Sequence, residues 1–279
     1  MHSRKEKTTK NIEKTSIMKK ISTFIMALAL VLGLSQCNKQ ETPATSEAED
    51  DMVYISVKAN DGDRDAFYPN TGALVYGNGD KISVGNGSKC LGFLTYNTGA
   101  FAGGITRPAT GQYLYFYFIG GGHEIPWQQA PGLTSYDFNL SYQLYSLPVV
   151  SFGKSTTPYS GSNVTYECVL RNQCALVHFD YTGTRPVIAV GNVPTVVTFD
   201  FTDPENGIKP KEGSDNGSIT LYRENIGSRW AIMLPGTDLG EAVVENGEIR
   251  CYYEDGLPTL GANELYKTGI TINDDTSGK

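Results

Sequence analysis

The residues best equipped for chemistry are few and scattered along the chain. His123-Glu124, beside Trp127, sets an imidazole next to a carboxylate. In a zinc-binding helix, two histidines one turn apart hold the ion and the glutamate acts as base. Here the second histidine is missing, and Pro126 and the Gly120-Gly121-Gly122 triplet exclude a helix, so His123 reads as a loop residue. Gly153-Lys154-Ser155 matches the end of a phosphate-cradling loop, but that motif needs a glycine where Pro148 stands, within a βαβ unit. Asp61, Asp63 and Asp65 copy the opening ligands of a calcium loop. Its obligatory glycine and closing glutamate are replaced by Ala66 and Gly72, so the stretch reads as a solvated turn. There is no Gly-x-Ser-x-Gly elbow, and no local pattern singles out a pair of glycosidase carboxylates. No catalytic, cofactor or metal-binding residue is assigned, and the chain reads as a non-enzyme.

Covalent chemistry is better signalled. Met18-Lys19-Lys20 precedes about 14 mostly apolar residues, Ile21 to Leu34, and Leu34-Ser35-Gln36-Cys37 follows. A run of that length fits a signal-peptide core and falls short of a membrane span. Its end has the form of a bacterial lipobox, which predicts removal of residues 1–36 and lipidation of Cys37. Residues 1–17 precede a better start at Met18 and read as a start-site artefact. Each acyl CH₂ buried in a bilayer contributes about 0.8 kcal/mol, so two or more chains anchor stably. Beyond Cys37 lie Cys90, Cys168, Cys174 and Cys251. An export route permits disulfides. Cys168 and Cys174 are close enough to pair across a turn at Arg171-Asn172-Gln173, with buried free thiols as the alternative.

The elements that would carry these residues are strands. The chain has 31 Gly, 17 Tyr and 11 Phe, with short apolar stretches between turn residues. Val53, Ile55 and Val57 alternate with polar neighbours, as in a half-buried strand. Gly77-Asn78-Gly79-Asp80 marks a hairpin turn between strands at Leu74 to Tyr76 and Ile82 to Val84. Cys90 to Tyr96 and Phe101 to Ile105 follow. Tyr113 to Ile119 is apolar throughout and predicts a central strand buried on both faces. Leu147 to Ser162, rich in Pro, Ser, Thr and Gly, reads as a connection between domains. Beyond it, Val164, Tyr166, Cys168 and Leu170 share one face, and strands are expected at Ala175 to Tyr181, Pro186 to Val190, Thr195 to Phe201, Trp230 to Leu234, Glu248 to Tyr253 and Tyr266 to Ile272. Asp203 to Gly217 reads as a long polar loop. The expected architecture is all-β: a lipidated tether over 37–51, an N-terminal β-sandwich over 52–158 and a C-terminal one over 159–279. Without residues 1–36 the charge falls from −7 to about −12, which excludes a nucleic-acid partner because phosphate binding needs a basic stripe.

Taken together, these features resemble the fimbrillin-like lipoproteins of Bacteroidales, the subunits of their surface fimbriae. The resemblance rests on the lipobox and polar tether and on Tyr54-Ile55-Ser56-Val57-Lys58 running to Arg64. It also rests on Gly79 to Val84, Ala109 to Phe116, Cys174 to Phe179, Trp230 to Pro235 and Tyr266 to Ile272. It implies two tandem transthyretin-like, Greek-key sandwiches and a surface location on the outer membrane. It further implies partners that are other fimbrial subunits, joined by strand addition after an Arg-specific cut at Arg64, with a host surface ligand as a further partner. Only Asn273 to Lys279 follow Ile272, so a C-terminal donor strand would have to be Lys267 to Asn273 itself. That departure favours a tip, anchor or accessory subunit over a shaft subunit. The alternative is a monomeric surface lipoprotein that binds glycan or host protein.

Overall fold

Short apolar runs broken by glycine and turn residues fold here as strands, and the described residues contain no helix. The computed structural model describes residues 51–61, 76–120, 131–181, 187–239, 243–246, 249–252 and 259–272. The first strands in chain order are β1 (Met52–Asp61), β2 (Lys81–Gly85), β3 (Cys90–Asn97), β4 (Ala100–Thr106), β5 (Tyr115–Ile119), β6 (Ser135–Asn139), β7 (Val150–Lys154), β8 (Thr165–Asn172) and β9 (Ala175–Tyr181). They are followed by β10 (Ala189–Val193), β11 (Val196–Asp200), β12 (Ile208–Pro210), β13 (Gly217–Thr220), β14 (Tyr222–Arg223), β15 (Ser228–Met233), β16 (Val243–Asn246), β17 (Ile249–Tyr252) and β18 (Leu265–Ile272). The all-β class expected from composition is the one the described residues adopt.

Where the sequence suggests two facing sheets, seven strands close a barrel in the order β1-β4-β3-β2-β5-β7-β8. Closure comes from β8, which lies antiparallel to β7 and parallel to β1. A closed ring leaves no open edge of unpaired donors and acceptors. β7 falls inside the stretch read as an interdomain connection. Its glycine is the reason: a Cβ on Gly153 would stand 2.4 Å from the Val169 carbonyl oxygen, so glycine permits the close approach of β8. β8 itself lies beyond the expected boundary at 158/159. The remaining strands form three sheets, ordered β13-β10-β16-β17, β12-β11-β6 and β14-β15-β9-β18. Thus β6, from the first block, pairs with β11 from the second.

Side chains fill three core layers. Val53, Ile55, Val57, Phe101, Phe116 and Phe118 fill the barrel. The strand at Tyr115–Ile119 is buried on both faces, as its sequence predicts: Tyr117 and Ile119 point the other way, toward Phe199, Phe201, Trp230 and Ile232. β9 likewise faces two layers, sending Leu176 to this second one and Val177 and Phe179 to a third with Val190, Ile219 and Met233.

Candidate strand-exchange site

β1 is the first described strand, and alternation determines what it does. Val53, Ile55 and Val57 are buried in the barrel, whereas Met52, Tyr54 and Lys58 face outward. Each buried apolar side chain contributes about 1.5–3 kcal/mol. Met52 to Val57 pair antiparallel with Thr106 to Phe101 of β4. Ser56 to Asp61 pair parallel with Thr165 to Leu170 of β8. The strand is thus held on one edge along its first half and on the other along its second, and the two holds overlap only at Ser56 and Val57. Parallel ladders are slightly weaker per residue than antiparallel ones. A side-chain bond reinforces the overlap, with Ser56 Oγ 2.7 Å from Thr165 Oγ1. The turn before β8 adds two backbone bonds: Asn163 N–H donates to Tyr54 O at 2.7 Å and Ser56 N–H to Val164 O at 3.1 Å. Asn163 has φ 59°, a left-handed conformation that asparagine tolerates better than most residues.

Withdrawal of β1 would therefore open one continuous slot between β4 and β8. Both rims would present unpaired backbone groups, and the floor would have three apolar sockets at alternate positions. That is the geometry into which an extended strand with residues spaced i, i+2, i+4 can be added.

The last described strand is occupied within its own chain. β18 lies parallel to β9, with Leu265, Tyr266 and Lys267 opposite Leu176, Val177 and His178, and with Thr271 and Ile272 opposite Asp180 and Tyr181. Of the expected donor segment Lys267 to Asn273, Lys267 to Ile272 belong to this strand, and Asn273 lies outside the described residues.

Several residues singled out from sequence lie outside the described residues: Cys37, Arg64, Asp63, Asp65, His123, Glu124 and Trp127. Cys90, Cys168 and Cys174 are buried free thiols. The candidate pair Cys168 and Cys174 is not joined. Cys168 points into the barrel core, whereas Cys174 belongs to the second layer. Asn172 shapes the turn between them: its side-chain amide donates to Cys174 O at 2.6 Å, and its side-chain oxygen accepts from Cys174 N–H at 3.0 Å. Burial pushes the Cys168 and Cys174 thiols up to about 12. Burial also pushes Cys90 to about 11, against the pull of backbone bonds at Gly92 and Val84.

Gly153-Lys154-Ser155 forms no phosphate loop. Gly153 and Lys154 are in β7, the Lys154 ammonium sits 3.9 Å from the Tyr113 ring centroid, and Ser155 Oγ accepts from Leu114 N–H at 3.1 Å.

Sequence reading missed a polar constellation on β9 and β15. His178 Nε2 is 2.8 Å from Ser228 Oγ, and His178 Nδ1 is 3.9 Å from Asp180 Oδ1. The spacing superficially suggests a nucleophilic triad. The hydroxyl, however, donates to Glu224 Oε2 at 2.9 Å, and the same oxygen accepts from Trp230 Nε1–H at 2.8 Å. With its proton committed to a carboxylate, Ser228 can only accept from His178, which is the reverse of base activation. Asp180 is also beyond hydrogen-bond reach. The group is a structural network. Among the described residues, no cluster of three or more His, Cys, Asp or Glu side chains could hold a metal ion.

Fold and site together define an all-β protein whose first described strand completes a barrel. No family model matches the chain. No curated protein sequence matches it at a significant level. Among solved structures it is similar to a proposed cell adhesion protein from Bacteroides ovatus, at 12% identity and a TM-score of 0.48, over 80% of this chain and 92% of that one. It is also similar to a fimbrial assembly protein from Parabacteroides distasonis, at 12% identity and a TM-score of 0.43, over 80% and 90%. A fimbrial anchor protein from Porphyromonas gingivalis is similar at 9% identity and a TM-score of 0.34, over 68% and 76%.

Proposed function

We propose that the chain is a non-enzymatic, surface-anchored structural subunit of a fimbria-like appendage that joins partner subunits by β-strand addition. The observation that carries this reading is β1 itself: an apolar plug of three alternating residues, held on different edges in its two halves, whose loss leaves a slot shaped for another strand. In this reading Arg64, three residues beyond the end of β1, is the maturation cut, and lipid on Cys37 anchors the chain to the outer membrane. Internal use of β18 supports an accessory, tip or anchor position, because this strand is committed to its own sheet beside β9. The body is two tandem β units, 52–158 and 159–279, that lend each other β6 and β8.

The test is cleavage of the purified full chain in detergent with an Arg-specific protease, with the cut mapped by mass spectrometry. A synthetic peptide with apolar residues at alternate positions is then offered. Cleavage at Arg64, followed by loss of the β1 fragment and uptake of the peptide, is the expected result. Resistance at Arg64, or a cut form that keeps β1 and excludes the peptide, would remove strand addition at this site.

A further inference from the structure

Tyr142 and Tyr145 are 60% and 77% exposed. Their rings meet edge to face, with centroids 6.1 Å apart and planes inclined at 67°. The segment that bears them is pinned from beneath. Gln143, between them, is fully buried. Its side-chain amide donates to Leu140 O at 2.9 Å and Ile232 O at 2.8 Å, and its side-chain oxygen accepts from Ile232 N–H at 2.7 Å. The backbone is held as well: Thr220 N–H donates to Ser141 O at 2.7 Å, Gln143 N–H to Thr220 O at 3.2 Å and Arg223 N–H to Leu144 O at 3.5 Å. Two large rings are therefore presented to solvent on a rigid base, so little ordering entropy is lost when something stacks on them.

We infer that Tyr142 and Tyr145 form a binding platform for a neutral oligosaccharide, with one pyranose ring against each tyrosine. The C–H face of a pyranose is apolar and matches an aromatic face, while its hydroxyl rim finds the phenolic O–H at the ring tip. Area decides against a folded protein. Two rings bury roughly 150–250 Å² each, whereas a stable protein interface needs roughly 800 Å² per partner. Nucleic acid, whose bases also stack, is disfavoured by the chain's net charge of −7. The platform is independent of strand addition, since neither tyrosine lies on β1 or in the barrel.

The test is native affinity electrophoresis of the full chain in detergent, through gels containing yeast mannan, laminarin, xylan or arabinogalactan. Affinity is then measured with a hexasaccharide of whichever polymer retards the protein. Retardation by at least one polymer is expected. Tyr142→Ala and Tyr145→Ala should each weaken binding about tenfold, and the double variant should abolish it. Tyr142→Phe and Tyr145→Phe should bind within about threefold of the native chain, as stacking requires. Tyr54→Ala, an equally exposed ring on the barrel, should bind normally. Unchanged melting temperatures of the alanine variants will show that the fold is intact. No retardation by any polymer, or retardation that survives the double substitution, would overturn the proposal. So would a concentration-dependent dimer abolished by the same substitutions, which would make the surface a protein contact.

Discussion

At the residue scale, Gln143 replaces a strand. β14 covers β15 only opposite Trp230 and Arg229, so among the described residues no strand pairs with that edge at Ile232. The Gln143 amide has the same donor and acceptor as a peptide group and pairs with both backbone groups of Ile232. Gln143→Ala should destabilise the fold by about 1–3 kcal/mol for each orphaned group, read from urea denaturation. A loss near that of an ordinary surface substitution would mean that water replaces the amide. Asp137 gives a second test. A hydrogen bond from Lys211 and another from Thr198 outweigh burial and hold its carboxyl below the usual range. A carboxyl lowered in the folded state contributes stability that is complete above its unfolded value of about 3.9 and is lost as pH falls through the folded value. Lys211→Ala should move the Asp137 titration, followed by carboxyl NMR, up toward the ordinary range. Nothing in composition distinguishes Gln143 or Asp137, since each depends on a partner far along the chain.

At the element scale, β7 shows what patterning misses. Val-Ser-Phe-Gly-Lys carries a single glycine amid a Pro- and Ser-rich stretch and reads as linker, yet it is held between β5 and β8. Gly153→Ala should be among the most damaging small substitutions in the chain, because its Cβ would meet backbone oxygen at 2.4 Å and the barrel would have to open there. A cost of several kcal/mol, or failure to fold, is expected by denaturation, whereas Gly99→Ala places its Cβ in open space and tests only the cost of a positive φ. Strands with strong alternation or continuous apolar runs were legible: β1, β5, β8 and β9 all lie where their patterns put them. β6, β12 and β13 were not, because Ser135 to Asn139 buries only Phe138, β12 is a short edge segment inside the stretch read as a polar loop, and β13 is a four-residue edge segment that starts at the end of that stretch. Such strands are defined by their neighbours' ladders rather than by their own hydropathy.

At the scale of the whole molecule, the buried titratable groups set how stability changes with pH. Burial raises Cys90 to about 11 and both Cys168 and Cys174 to about 12, and it raises Tyr117, with smaller contributions from nearby acidic groups, the largest being Asp200. An acid raised in the folded state contributes stability that is complete below its unfolded value, about 8.5 for a thiol, and is lost as pH rises toward the folded value. The urea midpoint should hold up to about pH 8. It should then fall, with each thiol contributing up to about 1.4 kcal/mol per pH unit. The same thiols should resist alkylation at pH 8 until the chain is denatured. Reaction in the folded state at the unfolded rate would contradict their burial.

By itself the sequence determined the β class, the half-buried β1 and the doubly buried β5, because side-chain alternation and apolar runs are local properties of a pleated strand. It also pointed to Cys37 and Arg64 as candidate sites. Only the tertiary structure decided that strands of the first block close into a barrel with β8 of the second, that Cys168 and Cys174 lie in different cores, that β18 stays with β9, and that Tyr142 and Tyr145 stand on a buried glutamine. Each of these depends on contacts between residues 89 or more positions apart or on which face a turn delivers, and local hydropathy carries no information about either.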